Sequence, residues 1–81
     1  MSNTVSSHEL RELWAVLFPG VPAPDEGQWA LWMLRHNPEI VREGITQLAI
    51  KYRKLGGQMD VIYMGKFASS VMNRLNRERA Q

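Results

Sequence analysis

The chain has no cysteine, which excludes a disulfide framework and every zinc site built on thiolates, so its folding must come from packing alone. Long apolar runs are missing as well. No segment approaches the roughly 20 apolar residues that span a bilayer, and the opening MSNTVSSHEL has neither the basic start nor the apolar run of a signal peptide. A cytoplasmic protein without membrane contact is the expectation. Histidine is scarce, and His8 and His36 are isolated from each other and from any pair of carboxylates at ligand spacing. No metal centre is expected, and His36 reads as a helix-end residue rather than a catalyst. Gly65-Lys66 is not a phosphate loop, because that pattern needs glycine at position 60 and a hydroxyl residue at 67, where Asp60 and Phe67 stand. Ser69 and Ser70 lack the context of a nucleophile elbow. With no cofactor motif left, the expectation is a protein that is not an enzyme.

What is present is a heavy allocation of large side chains for 81 residues, with three tryptophans and five methionines. A chain this short buries only about two-thirds of its unfolded surface, so most of those side chains must serve one core. Truncating a core tryptophan costs roughly 3–5 kcal/mol. That is comparable with the whole stability of a small domain, about 5 kcal/mol. Core roles are therefore the default for Trp14 and Trp29. Trp32 lies on a segment crowded with Ala30, Leu31, Met33 and Leu34, which leaves few polar positions for water and makes it a candidate partner contact.

Four helices account for the pattern, an all-α bundle over about 6–18, 25–36, 38–55 and 64–77. Ser6 with Glu9 forms a capping-box signature, and Leu10, Leu13, Trp14, Leu17 and Phe18 follow at amphipathic spacing. Pro19, Gly20, Pro22 and Pro24 forbid a regular element and make a stiff connector. Asp25 caps the second helix, where Trp29, Trp32, Met33 and His36 share a face. Asn37-Pro38-Glu39 stops it and starts the third, since asparagine caps well and proline is tolerated at the first helical position. Val41, Ile45, Leu48, Tyr52 and Leu55 mark that helix, and Gly56-Gly57 supplies its left-handed stop. Gln58 to Tyr63 is expected to be a loop packed on the bundle, because Val61, Ile62 and Tyr63 favour strands in a run too short for a sheet. Met64, Phe67, Ala68, Val71, Met72 and Leu75 mark helix four. The single domain spans 6–78, with residues 1–5 expected to be disordered and 79–81 frayed.

The formal charge of +2 conceals a split. Residues 1–50 carry three basic and six acidic side chains, a net of −3, and residues 51–81 carry seven basic and two acidic, a net of +5. This predicts one acidic and one basic face, able to orient an anionic or a protein partner. The polar face of helix four holds Lys66, Ser69, Ser70, Asn73, Arg74 and Arg77, residue types that suit phosphates or base edges. A helix-turn-helix reading meets two obstacles. The connection from helix three to helix four is about eight residues against the usual three or four, and Glu39 and Glu43 would repel phosphates from helix three.

Leu17-Phe18-Pro19, Trp29, Gly44-Ile45 and Gly65-Lys66-Phe67 occur in an order and spacing that resembles the small helical domain of phage helicase-loading proteins. That family includes the replication protein P of lambda-like phages and the loaders and inhibitors of phages that encode their own helicase. The resemblance covers about residues 10–75. It implies a protein that binds a replicative helicase or another replisome component and modulates its loading or activity, without chemistry of its own. The expected contact surface joins the helix-two face around Trp32 to Lys66, Ser70, Asn73, Arg74 and Arg77. Two other readings stand beside it, a small DNA-binding regulator using helix four and a phage inhibitor of another host or defence protein. The sequence admits either a monomer or a homodimer, and the surplus apolar surface of helix two is what would support a dimer.

Overall fold

Every regular element in the computed structural model, which describes residues 7–79, is helical: α1 (Ser7–Leu17), α2 (Glu26–Arg35), α3 (Pro38–Lys54) and α4 (Val61–Arg79). The Ser6 half of the expected capping box, the expected disordered segment 1–5 and residues 80–81 lie outside the described residues. The stripe on α1 buries Leu10, Trp14 and Phe18 and half-buries Leu13 and Leu17. Pro19 and Gly20 then end the helix, Gly20 taking a φ of +80° that other residues adopt only with strain. The connector closes on itself through Val21 N–H donating to the Phe18 carbonyl at 3.1 Å.

The next two helix starts are set by local chemistry. The Asp25 side chain accepts the Gln28 N–H at 2.9 Å, and the Asn37 side chain accepts the Glu39 N–H at 2.8 Å, with Pro38 in the first turn behind it. His36 caps the end of α2, its N–H donating to the Trp32 carbonyl at 2.9 Å. At the end of α3, Gly56 and Gly57 have φ of +65° and +78°, and the Gly57 N–H returns to the Tyr52 carbonyl.

The start of α4 differs from the expectation. Val61, Ile62 and Tyr63 are not a loop but its first turn, and the connection from α3 shortens to Leu55–Asp60. Their strand preference costs only a few tenths of a kcal/mol each in a helix. All three are exposed, so the buried stripe begins at Met64 while the helix begins a turn earlier. The other end also runs past Arg77, to Arg79.

Helix α3 is central, with α1, α2 and α4 all packed on it. The α3–α4 pair is antiparallel, since Arg79 reaches Glu43 at 2.9 Å and Arg74 reaches Gln47 at 3.2 Å. Close approach needs Gly44: a Cβ there would lie 2.6 Å from Met72 Cγ and 3.4 Å from the Ala68 carbonyl oxygen. One core results. Within it the aromatic rings form a connected chain, Trp14 on Phe18 with centroids 4.4 Å apart, Trp14 on Trp29 at 6.4 Å, Trp29 on Trp32 at 5.4 Å and Phe18 on Tyr52 at 5.3 Å. The last three are edge-to-face, which suits the ring quadrupoles. Among the described residues no helix is long and apolar enough to cross a membrane.

A groove between the α1–α2 connector and helix α4

An open groove of about 870 Å³ runs along α4 where the end of the connector and the start of α2 fail to cover it. One wall is Ala23, Pro24, Asp25 and Gln28, and the other is a face of α4. Helical periodicity builds that second wall, because Ile62, Lys66, Ser70, Asn73 and Arg77 recur at three- and four-residue steps and so share one side. Val61, Gly65 and Ser69 flank them along the same stretch. Along α4 the lining runs from the apolar Val61 and Ile62 through Lys66 to Arg77, and Ala23 and Pro24 add apolar surface to the other wall. Ile62 is 69% exposed, a large apolar residue left in water.

Four of the expected contact residues, Lys66, Ser70, Asn73 and Arg77, come together in this groove, all exposed. Two do not join them. Arg74 leans the other way, donating to the Gln47 side chain on α3 and lying 3.9 Å from Glu78, so it braces the α3–α4 pair. Trp32 is only 1% exposed and forms no surface, a correction to the expected helix-two contact. Helical spacing puts Trp32 on one face with Trp29, and the fold turns that face inward. Its indole N–H donates to Ser69 Oγ at 2.8 Å, tying α2 to α4 beneath the groove. The exposed apolar residues of α2 are instead Leu31 and Leu34, the latter 83% exposed.

The connector residues and Val61, Ile62 and Gly65 were not among the expected contacts. A longer α4 would have pointed to Val61 and Ile62, since they extend the helix by one turn; Gly65 lies within the expected helix, and nothing local points to the connector.

Ion pairs engage several of the cations among the described residues, but not those of the groove. Arg11 pairs with Glu26, whose carboxyl is held below its ordinary range by the guanidinium hydrogen bond. Arg79 pairs with Glu43, and Arg74 is engaged as above. The antiparallel packing of α3 and α4 therefore folds part of the basic half onto the acidic half. Lys66 and Arg77 keep no ion-pair partner among the described residues. Asp25 is the one carboxylate among the lining residues, and one of its oxygens already serves the helix cap.

Among the described residues no three His, Asp or Glu side chains are grouped to hold a metal ion. Ser69 Oγ is already the acceptor of the Trp32 indole, and the groove lining contains no histidine to act as a base for either serine. His36 lies elsewhere, buried at the α2–α3 junction with Nδ1 lacking a hydrogen-bond partner. Burial, and then the neighbouring Arg35 charge, push its pKa below the usual histidine range. No protein-family model matches the chain, and neither the curated proteins nor the solved structures contain a match.

Proposed function

We propose that this chain is a non-enzymatic, cytoplasmic phage or phage-derived protein that binds a replicative helicase or another replisome component and modulates its loading or activity. The observation that supports a binding role is the α4 groove, where Lys66 and Arg77 stand unpaired beside exposed apolar side chains while Arg74 and Arg79 of the same helix are engaged. The choice of partner rests on the resemblance in helix order and motif spacing to phage helicase loaders. Docking alone would change how the helicase is delivered or opened, with no reaction on this chain.

The groove suits a protein better than duplex DNA. Two free cations neutralise about two phosphates, against the 6–10 contacts typical of DNA-binding proteins. The exposed Val61 and Ile62 also have no use against a phosphate backbone. The antiparallel α3–α4 pair is likewise unlike a helix-turn-helix, whose two helices cross at roughly 90–120°.

The test is size-exclusion chromatography with light scattering on the protein alone and mixed with the replicative helicase of its host. Co-elution at a defined stoichiometry is expected, with loss of co-elution for the double variant Lys66→Glu, Arg77→Glu at unchanged helicity. Arg74 is left intact because reversing it would also disturb α3. Absence of co-elution by the unmodified protein would overturn the helicase assignment. A salt-steep affinity for duplex DNA would then favour a nucleic-acid regulator, and a clean mass without either ligand would favour an inhibitor of another host protein.

A further inference from the structure

The groove also constrains what enters it. We infer that its occupant is an acidic amphipathic helix of the partner protein, which seats one large apolar side chain against Ile62 and sets one carboxylate on Lys66 and another on Arg77. The inference rests on the reading of the groove as a protein-docking site, and adds the chemistry and conformation of the docked segment.

Charge complementarity fixes the sign. The two free cations of the groove lie eleven residues apart on α4, three turns or about 16 Å of helix. A lone carboxylate cannot satisfy both, whereas two on a helix with the same eleven-residue separation share a face and can. Ser70 and Asn73 lie between them and offer uncharged hydrogen-bonding groups. One turn before Lys66, Val61 and Ile62 are exposed in the same lining, which calls for an apolar side chain and not a third charge.

The conformation follows by elimination among the recurring modes of peptide recognition. Strand addition needs a sheet edge, and the described residues contain no strand. Polyproline recognition needs an aromatic-lined groove, and the lining holds no aromatic residue. Phosphate-motif recognition uses clustered arginines, and this groove has one. A helix laid in a groove remains, and Gly65 leaves room for it, since a Cβ added there would meet nothing within 4 Å.

The experiment uses the full chain, uniformly labelled with nitrogen-15, and a synthetic helix of about 18 residues, long enough to be partly helical in water. The peptide carries Leu, Glu and Glu spaced like Ile62, Lys66 and Arg77, made in both chain directions, with a Gln-for-Glu counterpart of each. Expected are amide shifts confined to the groove lining and to the Trp32 indole N–H, which touches Ser69 beneath the groove. The Gln peptide should bind about tenfold more weakly, the loss expected from two exposed ion pairs within their usual range of worth.

Gly65→Phe should abolish the shifts by filling the groove while the fold persists, because the position is open and helical. Lys66→Glu with Arg77→Glu should do the same, whereas Arg53→Glu with Lys54→Glu, an equal change of net charge outside the groove, should leave binding unchanged. Equal binding of the Glu and Gln peptides, shifts mapping elsewhere, or unaltered binding by Gly65→Phe would overturn the inference. So would displacement of the shifts by a short DNA duplex with no response to either peptide. The two readings fail separately: helicase capture that survives Gly65→Phe ends the groove inference alone, and peptide binding without helicase capture ends the helicase assignment alone.

Discussion

Gly44 and Gly65 are both interior helix residues, yet their surroundings predict opposite responses to alanine. Replacing glycine in a helix gains about 1 kcal/mol of intrinsic propensity at either site. At Gly65 nothing opposes that gain, so Gly65→Ala should raise stability by about 0.5–1 kcal/mol. At Gly44 the new methyl would sit 2.6 Å from Met72 Cγ and 3.1 Å from Cε, and Met72 is fully buried with nowhere to retreat. Overpacking of this kind costs about 1–3 kcal/mol, which outweighs the propensity term. Gly44→Ala should therefore lower the thermal midpoint by several degrees, since about 1 kcal/mol corresponds to about 4–8 °C in a domain of this size. Thermal melts followed by circular dichroism decide it; a rise in both variants would mean the helices can separate at Gly44 without loss.

His36 carries the second prediction at this scale. Its folded pKa lies below the unfolded value of 6.5 because burial and Arg35 disfavour the charged ring. The folded state then binds fewer protons than the unfolded one, so the stability this residue contributes is complete above about pH 6.5 and is lost as the pH falls toward the folded pKa. Urea midpoints at pH 7.5 and 5.5 should differ in the unmodified protein, and His36→Gln should remove most of that difference. An equal pH response in the two proteins would place the titrating group elsewhere.

Helix α2 is held to α4 by one polar contact, the Trp32 indole on Ser69, and that contact makes a prediction at the level of elements. Ser69→Ala leaves a buried N–H without its acceptor, a cost of about 1–3 kcal/mol. If the bond matters as a pair, Ser69→Ala in a Trp32→Phe background should cost clearly less, and a double-mutant cycle on urea midpoints measures the coupling. Additive losses would show that the two residues act separately. This contact also marks where sequence reasoning stops. The caps at Asp25 and Asn37, the glycine stop at Gly56-Gly57 and the proline break after Phe18 were legible because each is settled within a few residues. The face shared by Trp29 and Trp32 was legible too, but not what covers it, since Ser69 lies 37 residues away. Separations of 27 and 36 residues likewise hid the turning of Arg74 toward Gln47 and of Arg79 toward Glu43, and the first of these leaves Lys66 and Arg77 as the groove's cations. At α4 the error had another cause. The strand preference of Val61, Ile62 and Tyr63 points to a loop, although a helix accepts such residues in its first turn at small cost.

At the scale of the whole molecule, the three tryptophans report on a different part of the structure from the one that dominates the helix signal. Trp14, Trp29 and Trp32 all belong to α1 and α2, which have 11 and 10 residues, whereas α3 and α4 have 17 and 19 and supply most of the far-ultraviolet dichroism. The two halves share one core and are joined through Phe18 on Tyr52 and Trp32 on Ser69, with Ile45 and Leu48 of α3 fully buried between them. Short helices such as α1 and α2 are marginal by themselves, because most of their stability comes from the apolar face they bury. They should therefore not survive loss of α3, and α3 should lose the cover of its buried face when they leave. Unfolding in urea followed by tryptophan emission and by dichroism at 222 nm should then give superimposable transitions with one midpoint, as a two-state domain requires. A tryptophan transition at lower urea than the helical one would mean that the antiparallel α3–α4 pair persists alone, held by the Gly44–Met72 contact and the Arg79–Glu43 bridge. In that case the connector wall would leave before α4 unfolds, and the groove would be lost at a urea concentration where most helix remains.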